Sequence, residues 1–588
     1  MPHSTFLLIL LVALSGLSFA GSLAVATEPL GGAGQSVAPT LDELDTTLPL
    51  MPSFLARIAA DESSLRRFEG RAETPATRTR SRRFHEDWLK RLSTVDFDQL
   101  DQAGRIDYLL LQNRLRRELR SLEFEAQREA ETDEFVPFAK QLDALHDQRM
   151  AKQPVDGKHV AKTLNQVSLA IDEAKTVLSK REEVPIHVAR RTVQRLERLG
   201  RTLQSWHQFY DGYDPIFSWW VEQPYKQTIE KLAGYRELID KRFIGIDKDK
   251  DKIVGDPIGR DALLADLAFE MIPYSPEELV ELANREFAWC EKEYLRAAND
   301  LGLGDDWRAA LEHVKSRHVE PGKQPELIRQ LAAEAEAFLD ERELVTIPLL
   351  CRHSWRMNWM SPERQKVNPY FTGGEVISIS FPTNTMDHAD KLMSLRGNNV
   401  HFSRATVHHE LIPGHHLQGF MADRYNTQRQ IFRTPFYIEG WALYWEMLLW
   451  DLDFHQSAED RIGMLFWRSH RCARIIFSLS YHLGQMSADE AVDFLVERVG
   501  HERRNAEGEV RRSVEGSYEP LYQAAYMLGG LQLRRLREEL VESGKMSHRE
   551  FHDAVLRENA IPIEMVRASL TGQPLTKDYQ PQWRFYSP

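Results

Sequence analysis

Residues 105–124 read RIDYLLLQNRLRRELRSLEF, and this stretch decides the fold class. Tyr108, Leu111, Leu115, Leu119 and Leu122 recur at three- and four-residue steps, with Arg and Glu filling the positions between them. That period lays one apolar stripe along an α-helix and leaves the charged side to water. Comparable stripes recur at 158–179, 187–208, 276–299 and 325–343, with no fixed-period repeat. The texture breaks once, over 344–382. There Leu344–Leu350 (LVTIPLL) and Glu375–Phe381 (EVISISF) are β-branched and alternating, separated by Pro362, Pro369 and the Gly373-Gly374 turn. Helical patterning resumes near Phe402 and runs to about Arg557. The expected fold is mainly α, with a small β-sheet just ahead of the next feature.

That feature is VHHELIPGHHLQ at 407–418, which packs His408, His409, His415 and His416 into nine residues around Glu410. The whole chain has 21 His in 588 residues, so a uniform spread would put well under one in such a window. Imidazoles beside a carboxylate are what a protein needs to hold a divalent metal and activate water on it.

Glu410 follows His409 as in the HExxH motif, where two histidines at i and i+4 share a helix face and the Glu serves as base. Here i+4 is Pro413, so the strict motif fails. On an ideal helix the sixth residue on lies about 240° away, and the seventh returns to the same side about 10 Å further along. Pro413-Gly414 resolves this. Proline lacks the N–H that would bond the His409 carbonyl, and glycine tolerates the irregular backbone that follows. A local unwinding can then set His415 beside His409. His409 and His415 are therefore the expected ligands; His408 and His416 support them, face substrate or simply pack. The plainer alternative is a histidine-rich helix whose imidazoles satisfy buried hydrogen bonds.

Catalytic zinc takes three protein groups and leaves one position for water. The segment PFYIEGWALYWEML at 435–448 offers the third, because Glu439, Ala442, Leu443 and Glu446 share one helix face. Glu439 is the expected ligand. Glu446, two turns on, is either its partner near the metal or an ion-paired surface residue.

Composition bounds the rest. The chain is 42% hydrophobic and 28% charged, with a net charge of −13, which argues against a nucleic-acid partner. Residues 1–26 read as a secretory signal: Phe6–Leu14 is apolar, and Ala24-Val25-Ala26 offers a cleavage site. No Cys follows that site, and no later run is apolar enough to insert stably in a membrane. Residues 27–40 form a polar linker, 41–340 an N-terminal helical region and 341–588 the metal-binding region, the two regions making one integrated unit over 41–583. The protein is thus expected to be exported, periplasmic or secreted, and it carries no signature of an oligomeric state. Cys290, Cys351 and Cys472 allow at most one bridge and read as buried free thiols. The run DKDKDK at 247–252 reads as a solvated loop, since it lacks the Gly and terminal Glu of a calcium-binding loop.

Taken together, His409-Glu410…Pro413-Gly414-His415-His416-x-Gln418, followed by Glu439-Gly440-Trp441-Ala442-x-Tyr444, resembles the bacterial family known as domain of unknown function 885. The resemblance extends from about Leu41 to Trp583, with its specific motifs in 370–530. It implies a large helical zincin-like (HExxH-clan) metallopeptidase fold, one Zn2+ held by His409, His415 and Glu439, and Glu410 as general base. It also implies that the edge strand at 376–381 pairs with an extended peptide substrate, the plainer alternative being an ordinary core strand. Downstream, Arg474-Ile475-Ile476 and His482 resemble a family segment in which Ser478 replaces an Asp. Pro520…Gln523-Ala524-Ala525-Tyr526…Gly529 resembles a second, in which Leu521-Tyr522 replaces Gly-Gln. Tyr526 and His482 are the candidates to stabilise an oxyanion, an effect of roughly 3 kcal/mol per donor.

The expected function is an exported zinc-dependent hydrolase of peptide or other small amide bonds, with oligopeptides favoured. Two alternatives stand beside it. One is a di-iron helical-bundle oxidoreductase, which needs Glu-x-x-His pairs on two helices that this chain lacks around the cluster. The other is a non-catalytic secreted binding protein with a structural metal, which has no use for Glu410.

Overall fold

The computed structural model describes residues 36–70, 73–245, 252–365 and 370–586. The expected signal segment (1–26), the linker up to residue 35 and positions 247–251 of the DKDKDK run lie outside the described residues. The helical stripes read from the sequence fall on observed helices, except that the one at 325–343 runs two residues past its helix. The chain begins with α1 (Leu50–Glu69), α2 (Pro75–Ser93) and α3 (Gln102–Ala130), the last containing the 105–124 stripe. On α3, Tyr108, Leu111 and Leu115 are buried, while Asp101 caps the first turn by accepting from the Gly104 amide.

Next come α4 (Ala139–Met150), α5 (Gly157–Ser179), α6 (Ile186–Tyr210) and α7 (Pro215–Ile239). They close around a core of their own that includes Leu142, Leu164, Ile171, Leu199, Trp206 and Val221. Four further helices follow: α8 (Arg260–Phe269), α9 (Pro276–Asp300), α10 (Trp307–Lys315) and α11 (Gln324–Glu341). Helix α9 starts on a capping box, Ser275 with Glu278, with Pro276 at its first position.

The sheet differs in part from expectation. Leu344–Leu350 forms no strand. Leu344 and Val345 instead enter the core, and the Leu344 carbonyl accepts from His552 Nδ1 at 2.7 Å. Pro348 then opens α12 (Leu349–Ser354). Proline removes a ladder donor from a strand but suits a helix start, so the chain turns helical there. The strand that does form is β1 (Arg356–Trp359). After a single turn, α13 (Pro362–Gln365), comes β2 (Val376–Ile379), within the expected 375–381. The two strands pair in parallel, Arg356 opposite Val376 and Trp359 opposite Ile379. The other side of β2 is not free: the Ser378 N–H donates to Thr372 O at 2.7 Å, and the Thr372 N–H returns to Ser378 O at 3.2 Å. The expectation that 376–381 offers an open edge to substrate is therefore corrected, because Thr372 already occupies it.

The remaining helices are α14 (His388–Gly397), α15 (Val400–Glu410), α16 (His415–Ala422), α17 (Pro435–Asp451), α18 (Ala458–His482), α19 (Ala488–Phe494), α20 (Arg503–Val514), α21 (Tyr522–Arg537), α22 (His548–Arg557) and α23 (Ile563–Thr571). Together these 23 α-helices and one small sheet make the described residues mainly α.

Helices α17 and α18 form the centre. A helix apolar all round is a buried helix, and α17 is buried from Phe436 to Leu449 except at Ile438. Its Phe436, Leu443 and Met447 join a core with α9, α18 and α20. Its Tyr437, Trp441, Tyr444, Trp445 and Leu448 join another with α1–α3, α22 and α23. Gly440 of α17 and Gly529 of α21 let these helices touch at backbone distance. A Cβ on Gly529 would lie 1.9 Å from the Phe436 carbonyl oxygen. A helix so clamped from both sides is a rigid mount for polar side chains. The three cysteines are free and buried.

Candidate metal centre

Helix α15 delivers His409 and Glu410 in its last turn and then stops. Leu411 leaves helical geometry, the Ile412–Pro413 peptide is cis, and Gly414 opens α16. Gly414 packs so closely that a Cβ there would lie 1.7 Å from the His409 carbonyl oxygen, a position open to glycine alone. Its N–H donates to His408 O at 3.0 Å, and the His416 N–H reaches Leu411 O at 3.0 Å, so backbone groups stay paired across the break. Trp441 locks the turn by donating to Pro413 O at 2.8 Å. The break returns His415 to His409, their rings 4.8 Å apart and nearly perpendicular.

Glu439 faces both rings from α17. Its Oε2 lies 3.2 Å from His415 Nε2 and 3.7 Å from His409 Nε2. One ligand atom from each of His409, His415 and Glu439 falls within 4.8 Å of the others, the only such trio among the described residues. Two imidazole nitrogens and a carboxylate oxygen brought this close could hold a metal ion, and they are the donor types that catalytic zinc uses. The far nitrogen of His409 strengthens the fit, since Nδ1 bonds Glu446 Oε1 at 2.6 Å. An imidazole ligand held by a carboxylate on its other nitrogen is the usual outer support of such a site. Glu446 is thus a buried partner of His409, not a surface ion pair.

Burial pushes His409 down, but hydrogen bonds to Glu439 and Glu446 outweigh it and lift the ring to about 9. Burial raises Glu439 while the two histidines pull it well below the usual carboxylate range. Glu410 moves the other way: burial raises its carboxyl, and Glu439 adds to the rise. Gly373 sits on Glu410, where a Cβ would lie 2.3 Å from Glu410 Cβ and 2.7 Å from its Oε2. The Gly374 N–H donates to Glu410 O at 3.1 Å.

All of these groups open into one cavity of about 260 Å3, with Tyr370–Gly373 on one wall. Arg471, Arg474 and Tyr526 line another. The Tyr526 ring lies 6.3 Å from that of His409 and stacks on it.

One expected role is not met, and His408 and His416 take the packing role among those expected of them. His482 does not reach this cavity; it lies in a second, polar cavity of about 680 Å3, beside Arg128 and Asp256. Eleven residues beyond Arg471 on α18, it is about 16 Å further along the axis. His408 points away from its neighbour and packs between Phe454 and His455, while burial pushes its pKa well down. His416 Nε2 donates to Cys351 O at 2.8 Å, and the ring packs on Phe420.

Three residues escaped the sequence reading. Tyr522, one of the departures from the family pattern, donates its hydroxyl to Glu439 Oε1 at 2.5 Å. Gly373 was visible only as a turn. Arg471 gave no signal except its place one helical turn before Arg474.

The family described as "Bacterial protein of unknown function (DUF885)" matches residues 70–570. The chain belongs to that family. No curated protein matches it. Among solved structures, one from Shewanella oneidensis, described as a "putative lipoprotein of unknown function", superimposes with a TM-score of 0.66 at 16% identity. The match covers 89% of this chain and 99% of that one. Another described in similar words, from Colwellia psychrerythraea, gives 0.55 at 14% identity, over 89% and 98%. At these identities the likeness concerns the fold. Among the described residues, no helix is long and apolar enough to cross a membrane.

Proposed function

We propose that this DUF885 protein is a zinc-dependent hydrolase of peptide or related amide bonds, zincin-like in its chemistry. One observation carries the reading: Glu410 enters the same cavity as His409, His415 and Glu439, yet it is not part of the ligand trio. A structural site has no need of an extra enclosed acid beside its ligands. A di-iron centre needs two Glu-x-x-His pairs and two further carboxylates, whereas the described residues hold one trio.

When bound, zinc supplies Lewis acidity toward the scissile carbonyl and lowers the pKa of water at the site. His409, His415 and Glu439 are the residues that hold it. Glu446 fixes the tautomer of His409 by taking its Nδ1 proton in a hydrogen bond, leaving Nε2 free to bind. Glu410 accepts the proton of the attacking water and passes it to the leaving nitrogen. Tyr526 donates toward the developing oxyanion, and burial keeps its hydroxyl protonated. Since Thr372 covers β2, the substrate backbone lies along the Tyr370–Gly373 segment, which forms the cavity wall. Export through the segment 1–26 completes the reading, supported by structural relatives described as lipoproteins.

Elemental analysis of the purified protein, with mass spectrometry of a peptide mixture before and after incubation, tests the proposal. About one zinc per chain and new peptide ends are expected. Glu410→Gln should keep the zinc and lose turnover by at least about 100-fold. Full turnover in that variant overturns the assignment, as does a pair of irons in place of zinc.

A further inference from the structure

The cavity carries more positive charge than the metal ligands require. Arg471 and Arg474 sit one turn apart on α18, their guanidinium carbons 4.4 and 4.7 Å from the ring centre of Tyr526. Both are buried, at 8% and 4% exposure. Arg474 is held by Glu509, with Nε and Nη2 each at 3.0 Å, while its Nη1 has no partner. Glu509 also pairs with Arg512, so one carboxylate serves two guanidinium groups. Arg471 makes no hydrogen bond among the described residues; its nearest carboxylate oxygen is Glu446 Oε1 at 3.9 Å. That oxygen is already committed to His409 Nδ1 at 2.6 Å. A buried guanidinium without a hydrogen-bonded anion is costly unless a ligand supplies one. Arginine's planar fork suits a carboxylate.

Position narrows the ligand. His409 and Arg471 meet the same oxygen of Glu446 from two sides, so the arginine wall begins directly beside the metal trio. A peptide advances about 3.5 Å per residue, so an anion on Arg471 belongs to a residue close in the chain to the scissile carbonyl, and a single residue is the shortest spacer. The cavity volume, about 260 Å3, is below the ~300–1,000 Å3 of ordinary ligand sites and suits a chain end rather than a through-running strand.

We infer that Arg471, with Arg474 behind it, binds the free C-terminal carboxylate of a short peptide, so that the protein removes one residue at a time from the carboxyl end. This rests on the hydrolase reading above for the reaction, but not for the binding. In the reaction, water's hydroxyl adds to the carbonyl carbon, the C–N bond breaks, and the leaving nitrogen takes the remaining proton. The products are a shortened peptide and one free amino acid.

The test uses one tetrapeptide in three forms: free acid, C-terminal amide, and C-terminal amide with a glutamate as last residue. Binding to zinc-loaded Glu410→Gln protein is measured by calorimetry, and cleavage by the wild-type protein is measured by mass spectrometry. The free acid should bind about 10- to 100-fold more tightly than the plain amide, the span of a hydrogen bond to a charged group. It should also lose only its last residue. Arg471→Gln, added to the Glu410→Gln protein, should bring acid and amide to equal affinity. Because the acid–amide contrast needs no change at Arg471, it stands even if that variant misfolds. Equal binding of acid and plain amide, or no binding of either, overturns the carboxylate site. Glutamate-amide binding as tightly as the free acid overturns its assignment to the chain terminus. Arg471-dependent binding of the acid with no cleavage of any form leaves the carboxylate site standing and removes the hydrolase reading instead.

Discussion

Glu446 and His409 are joined by a 2.6 Å hydrogen bond between a carboxylate and an imidazole that both lie out of reach of solvent. Glu446 sits seven residues after Glu439 on α17, so one rigid helix supplies both a metal-ligand candidate and the group that orients another. Removing an outer carboxylate of this kind commonly lowers metal affinity by about 10- to 100-fold. Glu446→Gln should therefore bind zinc about 10-fold more weakly while keeping the helical circular-dichroism signal. Chelator competition measures this, and unchanged affinity would show that Glu446 does not support the ligand.

Tyr522 makes the matching contact on Glu439, through Oε1 at 2.5 Å. Tyr522→Phe deletes the donor and leaves a buried carboxylate oxygen unpaired, at a cost of about 1–3 kcal/mol. The expected result is weaker zinc retention, by about 10-fold, with the apo protein losing no more than the roughly 1–3 kcal/mol of that unpaired oxygen. If the apo protein is destabilised and zinc affinity holds, the tyrosine serves packing.

How far the sequence could be read depended on how local each signal was. The stripe on α3 and its counterparts on α5, α6, α9 and α11 are helical because a 3.6-residue period is written in consecutive positions. The return of His415 to His409 was legible for the same reason: Pro413 and Gly414 lie between them, and their backbone rules act within a turn. Glu439 and Glu446 share a face at a spacing of seven. The misreadings came from long-range packing. LVTIPLL has strand-like residues, but Pro348 and the neighbouring α22 decide its course. His482 and Arg471 lie on one helix, and only the docking of α18 against α15, α17 and α21 decides which of them meets the cavity. Gly373 reveals its role only when the chain is folded onto Glu410.

Close contact between α17 and α21 sets the position of Tyr522 and Tyr526, since both ride on the first turns of α21. A Cβ on Gly529 would meet the Phe436 carbonyl oxygen at 1.9 Å and Gly440 Cα at 2.8 Å. Backbone atoms cannot swing aside as a flexible side chain can, so the helices must part. Gly529→Ala should cost about 1–3 kcal/mol of stability, as overpacking usually does. It should also reduce hydrolysis more than the same change at Gly419, where a Cβ meets nothing within 4 Å. Thermal unfolding and turnover of the two variants side by side give the comparison, and equal effects would remove the argument.

Glu270, just past the end of α8, gives the protein a pH dependence that is independent of the metal centre. Its Oε2 accepts from Thr434 Oγ1 at 2.5 Å, and Arg117 Nη1 is 3.7 Å from Oε1. Burial drives its carboxyl up to about 7 from an ordinary 4.5; Thr434 and Arg117 oppose the rise, and Glu519 and Asp266 add to it. Asp266 is itself raised to about 6, again by burial. An acid raised on folding holds in the native state a proton that the unfolded chain releases. Its stabilising contribution is therefore complete below pH 4.5 and is lost as the pH rises through 7. The loss attributable to Glu270 is on the order of 3–4 kcal/mol. Glu270→Gln keeps an acceptor for Thr434 and removes the titration. The variant should melt at a higher temperature than the wild type at pH 8, with the gap closing toward pH 5. Asp266 remains in both proteins, so a smaller slope between pH 4 and 6 should survive. Identical melting differences between pH 5 and pH 8 in the two proteins would show that Glu270 is already ionised in the folded chain.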